Sequence, residues 1–247
     1  MSKGVVTMTI DDAEHLSPEQ RQIIIERTPK HERGPRLYGE PAAGSGLVFP
    51  VDDEAIACDP FKIPAHYRRI NGLDFGWDHP FGASSLAHDS EADVIYVTAC
   101  YRESQATPII HAAAVKPWGE WIPCAWPHDG LQHDKGSGDQ LAELYRKQGL
   151  NMLPEHATHE EGGFGTEAGV IEMLTRMQTG RWKVFRNLGE WFSEKRLYHR
   201  EKGIIVKERD DILSSSRVGL MMLRFAEHEP KAKPRSRTNA PEGAWMG

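Results

Sequence analysis

The segment Tyr67-Arg68-Arg69-Ile70-Asn71-Gly72-Leu73-Asp74-Phe75-Gly76-Trp77-Asp78 predicts a β-strand that carries one carboxylate near its end. Side chains alternate along a strand, so Leu73 and Phe75 share one face and Asp74 lies on the other. Because a charge inside a core is costly without a partner, a proton or a metal, Asp74 is a candidate functional residue. The alternative is that Asp74 only ends the strand and starts the turn at residues 76–80.

Three β-prone runs with turn signals between them predict an antiparallel meander. These runs cover residues 70–75, 82–88 and 93–101. A predicted helix over residues 107–118 leads to a short fourth strand over 121–127, which delivers His128-Asp129-Gly130. Further helices are predicted over residues 138–148, 166–179, 188–196 and 210–226, and further strands over 181–185 and 203–206. These elements describe an α/β or α+β domain, which we assign to residues 67–229.

The two ends of the chain have a different character. Residues 1–66 predict an N-terminal linker appendage, with a possible strand over 5–10 and frequent prolines and glycines after residue 34. Within this appendage, Ser17 as N-cap, Pro18 at the first helical position and Gln20 at the capping-box position predict a helix over 18–27. Residues 230–247 are polar and basic and predict a disordered tail.

Composition places the chain among globular proteins. Of its 247 residues, 39% are hydrophobic and 27% are charged. No apolar run is long enough to span a membrane, and the N-terminus has no signal-peptide pattern. The three widely spaced cysteines indicate reduced, packed thiols and form neither a disulfide framework nor a CxxC metal site.

The distribution of charge is more informative than the net charge of −6. Residues 129–172 contain nine acidic against three basic residues, and residues 181–209 contain nine basic against four acidic residues. An acidic cluster followed by a basic strip suits a site that holds cations and receives a polyanion. Two unrelated solvated faces would give the same pattern.

Aspartates at three element ends are candidates for a metal centre. Asp74 ends the first strand, Asp129 follows the fourth, and Asp210 and Asp211 begin the last helix. Divalent magnesium or manganese prefers such hard oxygen ligands, and two ions together can hydrolyse a phosphodiester. The alternatives are that Asp129-Gly130 is a simple turn and that Asp210 or Asp211 is only a helix N-cap.

Residues 70–226 resemble the C-terminal nuclease domain of the large terminase subunit of tailed bacteriophages. The resemblance is carried by residues 72–76, 126–130, 136–138, 198–200, 207–214 and Arg217. It implies an RNase H-like fold with a central mixed sheet flanked by helices. Residues 4–50 resemble the end of the same family's ATPase domain and its linker, through residues 7–13 and 44–50. The chain has no GxxxxGK[ST] sequence, so the resemblance implies that ATP hydrolysis belongs to a preceding part.

The resemblance also implies roles for individual residues. Asp74 and Asp129 match metal ligands that hold two divalent cations, Mg²⁺ or Mn²⁺. The third ligand is expected to be Asp211, with Asp210 as its rival, because small residues at 214, 215 and 218 share a helix face with Asp211 and can pack on the sheet. Asp134 is an alternative auxiliary ligand, although a loop aspartate beside a lysine needs no such role.

The basic strip supplies candidates for phosphate contacts, which would be independent of sequence. These candidates are Lys195, Arg196, Arg200, Lys202, Lys207 and Arg209. The alternative is a solvated hairpin and helix face. His128 is expected to be exposed in its turn, and Trp182 and Trp191 are expected in the core.

The resemblance implies an endonuclease that cuts concatemeric double-stranded viral DNA during genome packaging. Its implied partners are DNA, the portal protein and the small terminase subunit, in the host cell cytoplasm, with the isolated domain a monomer. Two alternatives remain open. One is another RNase H-like nuclease of the resolvase or transposase type, and the other is a portal-docking or DNA-binding module that is idle in isolation.

Overall fold

The computed structural model describes residues 9–13, 15–28, 33, 37–38, 46–133, 138–160, 162–163, 165–201 and 203–230. The predicted strand over 5–10 falls largely outside these residues, and its end instead forms part of a 3₁₀ turn at Ile10–Asp12. The predicted tail lies almost entirely outside them. No helix in the described part of the chain is long and apolar enough to cross a membrane.

A mixed sheet forms the centre of the domain. Its strands are β1 (Ala57–Cys58), β2 (Arg68–Asp74), β3 (Phe81–Asp89), β4 (Val94–Glu103), β5 (Cys124–Ala125), β6 (Trp182–Phe185) and β9 (Glu227–His228). They lie in the order β1-β6-β4-β3-β2-β5, with β9 also on β2. Strands β2, β3 and β4 form the predicted antiparallel meander, whereas β5 runs parallel to β2 and β6 parallel to β4. The predicted RNase H-like fold is confirmed.

Helices cover this sheet, and a separate hairpin joins strands β7 (Arg200–Glu201) and β8 (Ile204–Ile205). The helices are α1 (Pro18–Arg27), α2 (Asp53–Ile56), α3 (Pro108–Val115), α4 (Leu141–Lys147), α5 (Thr166–Gln178), α6 (Gly189–Leu197) and α7 (Asp211–Met221). Helix α1 has the predicted bounds and the predicted capping box. The last helix ends earlier than predicted, at Met221, and a 3₁₀ turn at Leu223–Phe225 follows it.

Helix α7 packs closely on β2 because glycine and serine line the contact. A Cβ on Gly72 would lie 1.9 Å from the carbonyl oxygen of Ser215 and 2.6 Å from the amide nitrogen of Gly219. Ser215 Oγ lies 2.8 Å from Ser84 Oγ of β3. The small residues therefore bring the backbone of α7 against the middle of the sheet, and Asp211 at its start lies over Gly82 of β3.

The segment before β2 is more closely integrated than an appendage. Strand β1 extends the sheet beside β6, and Phe49 and Ile56 are buried in the core. Asp53 of α2 forms ion pairs with Lys195 at 2.7 Å and with Arg196 at 2.8 Å. Residues from about 48 onward thus pack as part of this domain, while the boundary at residue 66 stays a prediction.

Candidate functional site

One lateral row of the sheet organises the site. Asp74 at the end of β2 pairs with Gly82 of β3, and Gly82 pairs with Arg102 of β4. The start of α7 lies over Gly82, since a Cβ there would be 2.2 Å from the carbonyl oxygen of Asp211. The missing side chain of Gly82 therefore makes room for α7 between an aspartate on one side and an arginine on the other.

Asp129 approaches from the opposite side of Asp74. It lies in the 3₁₀ turn His128–Leu131 that follows β5, the parallel neighbour of β2. This turn is held close, because a Cβ on Gly130 would lie 2.4 Å from the Trp126 ring and 2.8 Å from the Phe75 ring. The turn itself is as predicted, and it brings Asp129 beside Asp74 rather than away from it.

These aspartates line one cavity of about 360 Å³. Its charged and polar lining consists of Asp74, His79, His128, Asp129, Thr166, Lys207, Asp210, Asp211, Ser214 and Arg217. Three separate elements thus supply four carboxylates to one cavity. Among the described residues, no three His, Cys, Asp or Glu side chains lie close enough together to hold a metal ion as they stand.

Burial and neighbouring charges shift the pKa of Asp74. Burial raises the pKa of Asp74 to about 7, with the charges of Asp210, Asp211 and Asp129 adding to the rise and that of Arg217 opposing it. Burial also raises the pKa of Asp210, and the adjacent Asp211 adds to that rise. A cavity that destabilises its own ionised carboxylates favours a bound cation, so the donor set fits a hard divalent metal.

The structure places the three small residues expected beside Asp211 in different surroundings. Ser214 and Val218 line the cavity with Arg217 and Met221, and Val218 is also buried in the core. Since α-helical neighbours recur every three to four residues, this is the face of Asp210, whose Oδ2 accepts a hydrogen bond from Ser214 Oγ at 3.4 Å. The sheet-packing face contains Ser215 and Gly219 instead.

Asp211 is held by Arg102, which also lies beside Glu194, and the sequence indicated neither Arg102 nor Glu194. Asp211 is only 6% exposed, and its Oδ2 accepts a hydrogen bond from Arg102 Nε at 2.8 Å. The same Arg102 nitrogen lies 3.3 Å from Glu194 Oε1 of α6. Burial raises the pKa of Glu194 to about 8, against the opposing effect of its backbone N–H donors and of Arg102. No local pattern marks this pairing, because β4 and α6 meet only in the folded chain.

The predicted phosphate-contacting residues differ in their surroundings. The prediction is wrong for Lys195, which is 4% exposed and donates to Val51 O and Asp53 Oδ1 inside the domain. Arg196 and Arg200 are ion-paired with Asp53 and with Glu167. Lys207 and Arg209 are exposed, and Lys207 lines the cavity. Lys202 and Asp134 lie outside the described residues.

Other expectations about single residues are met. His128 is exposed, Trp182 and Trp191 are fully buried in the core, and the cysteines are free thiols.

Arg217 lines the cavity, and its buried Nε makes no hydrogen bond to the described protein. Because a buried donor without a partner is costly, this guanidinium is suited to bind an anion that enters the cavity.

Comparisons with known proteins show the family of the chain. A family model described as the terminase RNaseH-like domain matches residues 71–223. A model described as the N-terminal part of a T4likevirus-type terminase large subunit matches residues 2–56. The terminase large subunit of Salmonella phage P22 is 46% identical over 238 residues, which are 94% of this chain and 48% of that protein. The chain thus spans about half the length of the curated relatives it matches.

Solved structures give the same assignment. The nuclease domain of the P22 large terminase superposes with a TM-score of 0.70 at 46% identity, covering 75% of this chain and 96% of that chain. The nuclease domain of the large terminase g2p of bacteriophage SPP1, solved with bound Mn, has a TM-score of 0.50 at 17% identity and covers 70% of this chain and 98% of that one. The second likeness supports the fold alone. With the first family model matching more than half of the sequence, the chain belongs to the terminase RNaseH-like domain family of phage large terminase subunits.

Proposed function

We propose that this chain is a metal-dependent endonuclease that hydrolyses phosphodiester bonds of double-stranded DNA. The observation that carries the proposal is the cavity into which three separate elements bring Asp74, Asp129, Asp210 and Asp211, with Arg217 beside them. Family membership adds support, since the similar P22 domain is named a nuclease and the SPP1 domain was solved with bound Mn.

Divalent cations, Mg²⁺ or Mn²⁺, would be held by the carboxylates of the cavity. Bound there, they would activate a water molecule and stabilise the leaving oxygen of the phosphodiester. The number of carboxylates supports two cations, and the central position of Asp74 between Asp129 and the start of α7 supports its role as the shared ligand. Arg217 would stabilise the negative charge of the scissile phosphate.

For the third ligand we propose Asp210 in addition to Asp211. The helix face of Asp210 lines the cavity along Ser214 and Arg217, which supports a direct role. Asp211 has one oxygen engaged by Arg102, and carboxylates that ligate metals are commonly oriented in this way by a hydrogen bond. Asp211 would therefore offer its other oxygen, Oδ1, from a fixed orientation.

The substrate would approach across the rim of the cavity. Lys207 and Arg209 are exposed and are the proposed phosphate contacts, which would be independent of sequence. We further propose that the whole terminase cuts concatemeric viral DNA during packaging in the host cytoplasm, together with the portal protein and the small terminase subunit. The proposal of these partners is based on family membership. The chain itself spans about half the length of its curated relatives.

A plasmid assay tests the proposal directly. With Mn²⁺ the chain is expected to nick and linearise supercoiled plasmid, and a chelator is expected to stop the reaction, because carboxylates alone supply no activated water. Gel electrophoresis of plasmid and of a branched substrate measures the outcome. Folded protein without cleavage would favour the docking module, and preference for the branched substrate would favour a resolvase-type nuclease.

Metal binding is expected to release a proton from Asp74. Because only the ionised carboxylate ligates and the pKa of Asp74 is about 7, more protons should be displaced at pH 6 than at pH 8. The apparent Mn²⁺ affinity should therefore fall roughly tenfold per pH unit well below pH 7. Calorimetry in buffers of different ionisation enthalpy counts the protons, and Asp74→Asn should remove this component. Equal proton release at pH 6 and pH 8 would contradict the assignment.

A further inference from the structure

We infer that Glu194 acts as a positioning residue that caps helix α7 in place of Asp210, and so leaves two consecutive aspartates to the cavity. The inference rests on the proposed metal site and adds a residue from another helix to it. It starts from a conflict at the beginning of α7, where Asp210 occupies the N-cap position. An aspartate there normally accepts hydrogen bonds from the backbone N–H groups of the first turn, and its carboxylate would then be unavailable to a metal.

The backbone N–H groups at the start of α7 have another acceptor. Glu194 Oε2 accepts from the N–H of Ile212 at 2.8 Å and from the N–H of Leu213 at 3.1 Å. The Asp210 side chain makes no capping hydrogen bond, and its backbone angles of φ −120° and ψ 14° differ from the extended conformation usual for an N-cap residue. The second and third helical N–H groups are therefore satisfied from outside the helix.

This external cap is buried between its neighbours. Glu194 is 4% exposed, so its carboxylate is confined between α6, α7 and β4. Trp191 Nε1 of the same helix donates to Ser216 Oγ of α7 at 3.1 Å. On the other side of the cap, Arg102 lies between Glu194 Oε1 and Asp211 Oδ2.

The consequence is a division of tasks among three carboxylates. Glu194 satisfies the helix, Arg102 orients Asp211, and Asp210 keeps its carboxylate on the cavity face with Ser214. Without Glu194, Asp210 has the position to turn back and cap the helix itself. The cavity would then lose one of its oxygen ligands although every aspartate remained in the sequence.

A double-mutant cycle on Mn²⁺ affinity tests this inference. Glu194→Ala is expected to weaken Mn²⁺ binding by about 10-fold to 100-fold, the usual effect of removing an outer residue that orients metal ligands. Asp210→Asn is expected to weaken it as well, but to add little in the Glu194→Ala background, because there Asp210 already caps the helix. Glu194→Gln keeps an acceptor for the N–H groups and should retain most of the affinity. Electron paramagnetic resonance detects free Mn²⁺ and so gives the Mn²⁺ affinity of the four variants and of the wild type, even where binding is weak.

A stability measurement keeps the inference testable if Glu194→Ala does not fold. Because Asp210 is not the cap, Asp210→Ala should leave the metal-free melting temperature unchanged or raise it, whereas loss of a true N-cap lowers it by several degrees. Ile56→Val, which removes one buried methylene far from the cavity, is the control for general destabilisation. Three results would each overturn the inference. One is wild-type Mn²⁺ affinity in Glu194→Ala, and another is a loss of affinity in the double mutant equal to the product of the two single losses. The third is a clear drop in melting temperature on Asp210→Ala. Absence of Mn²⁺ binding by the wild type would instead count against the metal site itself.

Discussion

Asp74→Asn is expected to lower plasmid cleavage by about 10³-fold or more while the protein remains folded. Asp74 lines the cavity together with Asp129 and the start of α7, so its loss would affect any cation held there. Gel-based rates with Mn²⁺ measure the effect. Glu91→Gln, at an exposed carboxylate in the turn between β3 and β4, is the matched control and should cleave like the wild type.

The same variant is expected to be more stable than the wild type at pH 8 without metal. The pKa of Asp74 rises from 3.8 to about 7 on folding, so ionisation of this carboxylate opposes the folded state. This destabilisation is nearly complete at pH 8 and disappears as the pH falls below 3.8, where the carboxyl is protonated in both states. Melting temperatures in chelator should therefore differ at pH 8 and converge at about pH 3. Full cleavage by Asp74→Asn, or an equal stability difference at both pH values, would contradict this account of Asp74.

Local sequence patterns were sufficient to predict the strands and the turn that carry Asp74 and Asp129. Alternation and turn residues predict β2, β3 and β4 with small errors at their ends, because side-chain period and turn chemistry are properties of neighbouring residues. The turn at Asp129 follows from Asp-Gly in the same way. That Asp74 and Asp129 share a cavity depends on the parallel pairing of β5 with β2, which no local pattern indicates. The resemblance implied only that both aspartates are metal ligands.

Long-range pairing explains what the sequence did not predict. Glu194 and Lys195 are adjacent charges on α6 that look like a solvated helix face, yet both are buried, one against the start of α7 and the other against Asp53. A linear count of charge cannot distinguish an ion-paired lysine from one that is open to DNA. Arg102 likewise looks like an ordinary strand-end residue until β4 pairs with β3 and brings it beside Asp211.

Gly82→Ala is expected to lower both the stability of the protein and its cleavage rate, because the sheet and the start of α7 meet at Gly82. The added Cβ would lie 2.2 Å from the carbonyl oxygen and 3.1 Å from the Cβ of Asp211, so the first turn of α7 must move away from Asp74. Overpacking of this kind costs about 1–3 kcal/mol of unfolding free energy, and a displacement near 1 Å can lower a catalysed rate by about 10²-fold. Urea denaturation and Mn²⁺-dependent plasmid cleavage measure the two effects.

The matched control for this variant is Gly189→Ala at the start of α6, where an added Cβ meets nothing within 4 Å. Alanine there should be neutral or slightly stabilising, because it reduces the conformational entropy of the unfolded chain. If Gly82→Ala cleaves like the wild type, the position of Asp211 over Gly82 is not needed for the reaction. If it loses cleavage but keeps its stability, the first turn of α7 moves at little cost to the fold. The expected loss of both would show that the contact which allows α7 to pack on the sheet also sets the position of its aspartates.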